Sequence, residues 1–131
     1  MGKHKEREML DRVLPRLRDE LGLLPGFWQY RIAYIFDMSE EYSEMERKAM
    51  EKMMAFRIDY LARDRQGYYH IFEIKRDLGL HALGQLLAYR LLIATIEGIP
   101  ESRIKLHVIY EKTYETIKFI YREFNIQLWE V

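Results

Sequence analysis

Residues 78 to 97 constrain this chain more than any other stretch, because apolar side chains fall on nearly every side of a helix-length run. Gly98-Ile99-Pro100 stops that run. A helix of this kind implies burial, and its neighbours are the segments that can cover it. Residues 56–63 and 68–75 before it and 104–110 after it are rich in aromatic and β-branched residues and read as strands. Asp64-Arg65-Gln66-Gly67 separates the first two, a short loop closed by glycine and suited to a hairpin.

The remaining segments extend this pattern. Residues 4–22 place Met9, Leu10, Val13, Leu14, Leu17 and Leu21 at helical spacing. Pro15 is positioned to kink or divide that helix, and Gly22 followed by Pro25-Gly26 to end it. A strand is predicted over 27–36. A helix over 44–55 is opened by Ser43 and Glu46 in capping-box spacing. An amphipathic helix follows over 114–124 with Asn125 as its C-terminal cap, then a last strand over 126–131. The order α-β-(α)-β-β-α-β-α-β predicts one domain over 1–131, an α/β mixed sheet flanked by helices.

Composition narrows the chemistry. The absence of cysteine excludes disulfides, zinc knuckles, iron–sulfur clusters and thiol nucleophiles. No Gly-rich phosphate loop or nucleophile elbow is present, which argues against nucleoside-triphosphate and acyl-transfer chemistry. The opening residues are too charged for a signal peptide, and no apolar run approaches the roughly 18 residues needed to span a bilayer. The expected location is therefore cytoplasmic, with no membrane partner. The 21 basic and 21 acidic residues cancel, so any nucleic-acid binding must come from a local patch. Arg47, Lys48 and Lys52, with Arg57 and Arg76, are the residues expected to supply it, although a charged helix face is more often only solvated.

The chemistry-bearing stretch runs from Arg57 through Asp59 to Glu73-Ile74-Lys75. With Arg65-Gln66-Gly67 as the loop, Asp64 pairs with Tyr68, and counting back sets Asp59 opposite Glu73. Facing carboxylates repel unless something positive lies between them, and a hard cation such as Mg²⁺ takes carboxylate oxygens together with carbonyls and water. Lys75, two residues on, shares the face of Glu73 and could orient an attacking water or stabilise charge growing on a phosphate. So short an Asp…Glu-x-Lys also recurs by chance, and an Asp59–Lys75 ion pair on a solvated sheet face is the plain alternative. Two details weigh against it. Glu73 and Lys75 end a run of bulky strand formers, and Gln85, Tyr89 and His81 make a polar line along an otherwise apolar helix.

Asp59, Glu73-x-Lys75 and Gln85-x-x-x-Tyr89 together resemble the motifs of the PD-(D/E)xK nuclease superfamily in its RecB-like branch. The wording across 57–90 is most similar to the nuclease domain of archaeal-type mismatch-specific endonucleases. The resemblance implies a restriction-endonuclease-like core and a Mg²⁺- or Mn²⁺-dependent DNA endonuclease leaving 5′-phosphate and 3′-hydroxyl ends. It implies Asp59, Glu73 and the Ile74 carbonyl as metal ligands, Lys75 as the catalytic cation, and Gln85 and Tyr89, with His81, Arg57 and Arg76, as groups shaping the site or touching DNA. An acid on the first helix is also common in the family. Glu6 projects with the apolar face and is the candidate, whereas Glu8 points away and Glu20 lies at its edge. Small cores of this kind often act as homodimers. Two departures stand out: Phe56 replaces the usual glycine three residues before the Asp, and the mismatch enzymes' separate N-terminal binding domain has no counterpart. A four-way-junction resolvase, or a catalytically silent module binding DNA or an unidentified protein partner, remain the rival readings.

Met45, Met50, Met53 and Met54 give the 44–55 helix a soft face, suited to a dimer contact or flap but more simply to core packing. His4, His70, His81 and His107 show no metal-ligand spacing, and only His81 is placed to matter. Trp28 and Trp129 read as core or interface anchors.

Overall fold

Five strands form one sheet whose spatial order repeats the chain order: β1 (Phe27–Arg31), β2 (Arg57–Arg63), β3 (Tyr69–Asp77), β4 (Ile104–Lys112) and β5 (Gln127–Glu130). The helices are α1 (Gly2–Leu21), α2 (His81–Glu97) and α3 (Glu115–Glu123), with a 3₁₀ turn at Glu101–Arg103. This is a computed structural model that describes residues 2–32, 43–46, 48 and 56–131. β1, β2 and β3 pair antiparallel, while β3, β4 and β5 run parallel, so the expected mixed sheet with flanking helices is what forms.

The turn between β2 and β3 sets the register of the whole sheet. Asp64 Oδ1 accepts the N–H groups of Gln66 at 2.8 Å and Tyr68 at 3.0 Å, and Gly67 takes the left-handed backbone (φ 89°) that closes the reversal. Tyr60 then faces Phe72 and Leu61 faces Ile71, a count that sets Asp59 against Glu73 as predicted.

Apolar side chains fill both faces of the sheet. On one, Met9, Leu10, Val13, Leu14 and Leu17 of α1 pack against Tyr60, Phe72, Ile74, Ile109 and Trp129. On the other, Ala82, Leu86, Tyr89 and Ile93 of α2 pack against Ile71, Leu106, Val108 and Tyr121. The α2 helix is not buried all round as its sequence suggests: Leu91 and Ile96 stand exposed on its outer side.

One polar chain is sealed into the α1 face. Trp129 Nε1–H donates to His107 Nδ1 at 3.0 Å, His107 Nε2 lies 2.8 Å from His70 Nδ1, and His70 Nε2 lies 2.8 Å from Asp64 Oδ2. The Phe72 ring stacks on His107 with centroids 4.3 Å apart. So His70 and His107, which show no spacing signal in the sequence, tie the β2–β3 turn to β4 and β5.

Several boundaries differ from the sequence-based expectation. Helix α1 continues through Pro15 without dividing. Strand β1 ends at Arg31, with Ile32 buried beyond it, and 33–36 lie outside the described residues. Helix α2 begins at His81 rather than 78, because Leu78 is held at the end of β4. Its N–H donates to the Lys112 carbonyl at 2.9 Å, and its own carbonyl accepts the Thr113 hydroxyl at 2.8 Å. Parallel pairing carries β3 and β4 on to Asp77 and Lys112. Asn125 caps α3 as expected, at φ 57°, with Ile126 N–H donating to Tyr121 O at 3.1 Å. The Ser43–Glu46 capping box forms, with Glu46 N–H on Ser43 Oγ at 3.1 Å. Met45 is 81% exposed, while Met50, Met53 and Met54 lie outside the described residues.

Gly26 marks where the chain crosses closest to β2. A Cβ there would stand 2.5 Å from the Leu61 carbonyl oxygen and 2.7 Å from the Tyr60 ring, both held by the core. Gly26→Ala is therefore expected to destabilise by about 1–3 kcal/mol, read as a lower urea midpoint at unchanged m-value.

Candidate active site

Asp59 and Glu73 stand side by side where β2 and β3 part. Beyond the Tyr60–Phe72 pair, side chains replace main-chain groups in the ladder: Ile74 N–H donates to Asp59 Oδ2 at 2.8 Å, and Asp59 N–H points at Glu73 Oε1 at 3.4 Å. Glu73 is only 2% exposed. Burial first, and the charge of Asp59 second, push its carboxyl pKa up to about 9 against the pull of Lys75. No Asp59–Lys75 ion pair forms among the described residues.

Other elements converge on the pair. Lys75, half-buried on β3, lies close enough to act on Glu73 and on Glu6. Glu6, near the start of α1, is brought to the site: its pKa is raised by partial burial and then by Asp59, opposed by Lys75 and Lys3. Glu20 is not, since it is exposed and paired with Arg16 at 2.8 Å. From α2, burial and the negative field of Glu73 and Asp59 raise the Tyr89 pKa, while Gln85 Nε2 lies 3.5 Å from the Tyr89 hydroxyl. Phe56 sets its ring edge-on to Tyr89 at 6.4 Å and walls this side.

Gln29 is the residue that sequence reading missed. It sits opposite Asp59 on β1 with a left-handed backbone (φ 56°), an uncommon conformation for a side chain of its type. Its Nε2–H donates to Asp59 Oδ1 at 3.2 Å, and its Oε1 accepts Lys3 Nζ at 2.6 Å. Both Asp59 oxygens are thus oriented by neighbours. The remaining expected residues are more exposed. His81 is exposed at the start of α2, Arg57 is exposed on β2, and Arg76 pairs with Glu111 at 3.7 Å.

The donor set suits a hard cation. Two carboxyl groups stand together with Lys75 beside them, and among the described residues the buried amide Oε1 of Gln85 has no hydrogen-bond partner, which the water of a hydrated ion can supply. Among the described residues no three Asp, Glu or His side chains share one ligating position, so main-chain carbonyl and water must complete the shell.

The sheet, its flanking helices and the acids at the parting strands define an α/β, restriction-endonuclease-like fold. Three solved structures share it. A repair endonuclease from Pyrococcus abyssi aligns over 96% of this chain with a TM-score of 0.57 and 16% identity. EndoMS in a complex with dsDNA aligns with a TM-score of 0.55 and 16% identity, and EndoMS in its apo form with 0.55 and 17%, each over 96% of the chain. The chain spans less than half of each of these proteins: 46%, 44% and 45%. At such identity the likeness is one of fold. No protein-family model and no curated protein matches the chain. Among the described residues no helix is long and apolar enough to cross a membrane.

Proposed function

We propose that this chain is a Mg²⁺- or Mn²⁺-dependent DNA endonuclease whose site is built on Asp59, Glu73 and Lys75. The observation that carries the reading is a buried carboxyl, Glu73, facing a second acid with no anion-balancing partner equal to both. Asp59, Glu73 and the Ile74 carbonyl would hold the cation. When bound, it lowers the pKa of water and polarises the phosphoryl group. Gln29 and the Ile74 N–H fix the rotamer of Asp59, so its oxygens are preorganised. Lys75 carries the positive charge needed beside a pentacoordinate phosphorus, and the acids Glu6 and Glu73 both feel its charge. Tyr89 and Gln85 line the wall from α2, where the raised Tyr89 pKa keeps its hydroxyl a hydrogen-bond donor to a phosphate oxygen. In-line attack then gives 5′-phosphate and 3′-hydroxyl ends. A homodimer would supply one such site to each strand of a duplex. DNA is the partner favoured by the fold shared with repair endonucleases.

Cleavage of a labelled panel of single-stranded, plain, mismatched, flapped and four-way-junction DNA tests this. With EDTA no product is expected. With Mg²⁺ or Mn²⁺ cutting is expected on at least one substrate, and Lys75→Ala should slow it by roughly 10²-fold or more. A preference for four-way junctions would make it a resolvase. A folded protein that binds DNA but cuts nothing with either metal is a silent module, and the reading fails.

A further inference from the structure

We infer a second phosphate-binding surface, on the β2–β3 turn and the start of β4, formed by Arg63, Arg65, Arg103 and Lys105. This inference rests on nucleic acid being the partner, as proposed above, but not on cleavage. The chain is neutral overall, so unpaired cations have to be sought locally, and six of the basic residues fail that test. Arg7, Arg16, Arg76, Arg90, Lys48 and Lys118 each pair with a carboxylate. Two of these, Arg76 and Lys48, were expected from the sequence to bind phosphate. Arg63, Arg65, Arg103 and Lys105 form no ion pair among the described residues, and they crowd around one turn.

The crowding is built rather than incidental. Arg103 Nη2 donates to the Gln66 carbonyl at 3.0 Å, and its guanidinium lies over the Tyr68 ring at 4.0 Å. Lys105 Nζ shares that ring at 5.1 Å, and the Arg63 guanidinium lies over Tyr69 at 4.9 Å. A Cβ on Gly67 would meet Arg103 Nη2 at 3.1 Å and Arg63 Nη2 at 4.0 Å, so two guanidiniums close on the same glycine. Like charges gathered this tightly repel one another, and an anion relieves that repulsion. The nearby acids are engaged elsewhere: Asp64 with His70, Glu101 with Arg90, and Glu97 with the Tyr69 hydroxyl.

The ring faces of Tyr68 and Tyr69 already hold cations, so the surface presents charge and not a stacking platform. That chemistry fits a run of backbone phosphates. An open groove of about 720 Å³ continues the surface past Lys105 to Arg90, Ser102 and Arg122. Tyr69 and Glu73 are four residues apart on β3, a rise of about 13 Å, and the surface begins at the Tyr69 end of that strand. The surface would hold the duplex beside the site without touching the scissile phosphate.

The test is Arg65→Gln with Lys105→Gln, both exposed side chains, beside an Arg12→Gln, Arg18→Gln control on α1. Anisotropy of a labelled 25-base-pair duplex in EDTA, across a salt series, gives affinity and its salt slope. The patch variant is expected to bind roughly 10- to 50-fold more weakly at 0.1 M salt, with a slope shallower by about two, while the control matches the parent. Replacing both residues by charge-preserving partners, Arg65→Lys and Lys105→Arg, should restore binding. An unchanged affinity in a folded patch variant overturns the inference, even if the parent cuts DNA. So does tighter binding of polyglutamate than of DNA at equal charge, which would make an acidic protein the partner. If the parent cuts nothing yet the patch variant loses DNA binding, the inference holds and the nuclease reading fails.

Discussion

Glu73→Gln should abolish cleavage and, without metal, make the protein more stable at pH 8. The two effects come from one cause. The Glu73 carboxyl has its pKa raised from 4.5 to about 9, so the folded state keeps a proton that the unfolded chain has released. Between those values the unfolded chain binds fewer protons than the folded one, so stability is whole below about pH 4.5 and is lost as pH rises toward 9. Gln keeps the shape and has no proton to lose. Calorimetry in EDTA should show the variant gaining on the parent from pH 6 to 8, a gap that widens by roughly 2 kcal/mol or more. Mg²⁺ should reverse the parent's trend, because it binds the ionised pair and stabilises only the folded state. The variant should no longer respond. A parent–variant gap that does not widen from pH 6 to 8 would mean Glu73 holds no raised pKa, and the case for a cation site would fall with it.

His107→Ala is expected to be the most destabilising single change, at about 3–5 kcal/mol, measured by urea unfolding. It leaves a hole under the Phe72 ring and strips partners from the Trp129 indole N–H and from His70. The polar chain admits one set of tautomers. The indole can only donate, so His107 Nδ1 accepts and His107 Nε2 carries the proton. That proton goes to His70 Nδ1, and His70 Nε2–H goes to the Asp64 carboxylate. Neither ring can take a second proton without setting two donors face to face. Accordingly both imidazoles have lowered pKa values, His107 well below 6.5, with burial as the first cause. For them the sign is the opposite of Glu73: the unfolded chain binds more protons, so stability is whole above about pH 6.5 and drains away as pH falls. Asp64, whose pKa is lowered by its hydrogen bonds against the desolvation that opposes them, adds to the same loss at lower pH. In the Glu73→Gln background this acid limb stands alone. Trp129→Phe, which keeps the stacking but not the donor, should cost less than His107→Ala; an equal cost would mean the chain is packing alone.

What could be read without coordinates was what a local pattern encodes. Asp64 and Gly67 announce their turn, the turn dictates register, and register brings Asp59 to Glu73. The Gln85–Tyr89 spacing puts both on one side of α2 whatever that helix packs against. What could not be read depends on pairings between distant strands. Gln29 carries no signature, because a left-handed glutamine on an edge strand looks like any other polar strand residue. His70, His107 and Trp129 lie on three strands, and each alone is an unremarkable apolar-face residue. The paired state of Arg76 and the unpaired state of Arg103 are equally invisible, since both follow from which carboxylate happens to lie within reach in the folded chain.

The match between chain order and sheet order bears on how the molecule is made. Each strand of this sheet docks on the edge left by the one translated before it, so the sheet can grow from the ribosome in one direction without a gap held open for a later arrival. The hairpin bearing both acids is synthesised before α2, at about 5–20 residues per second, while the side that α2 will cover still faces water. Glu73 is ionised at that stage and becomes confined only when α2 lays Gln85 and Tyr89 across it.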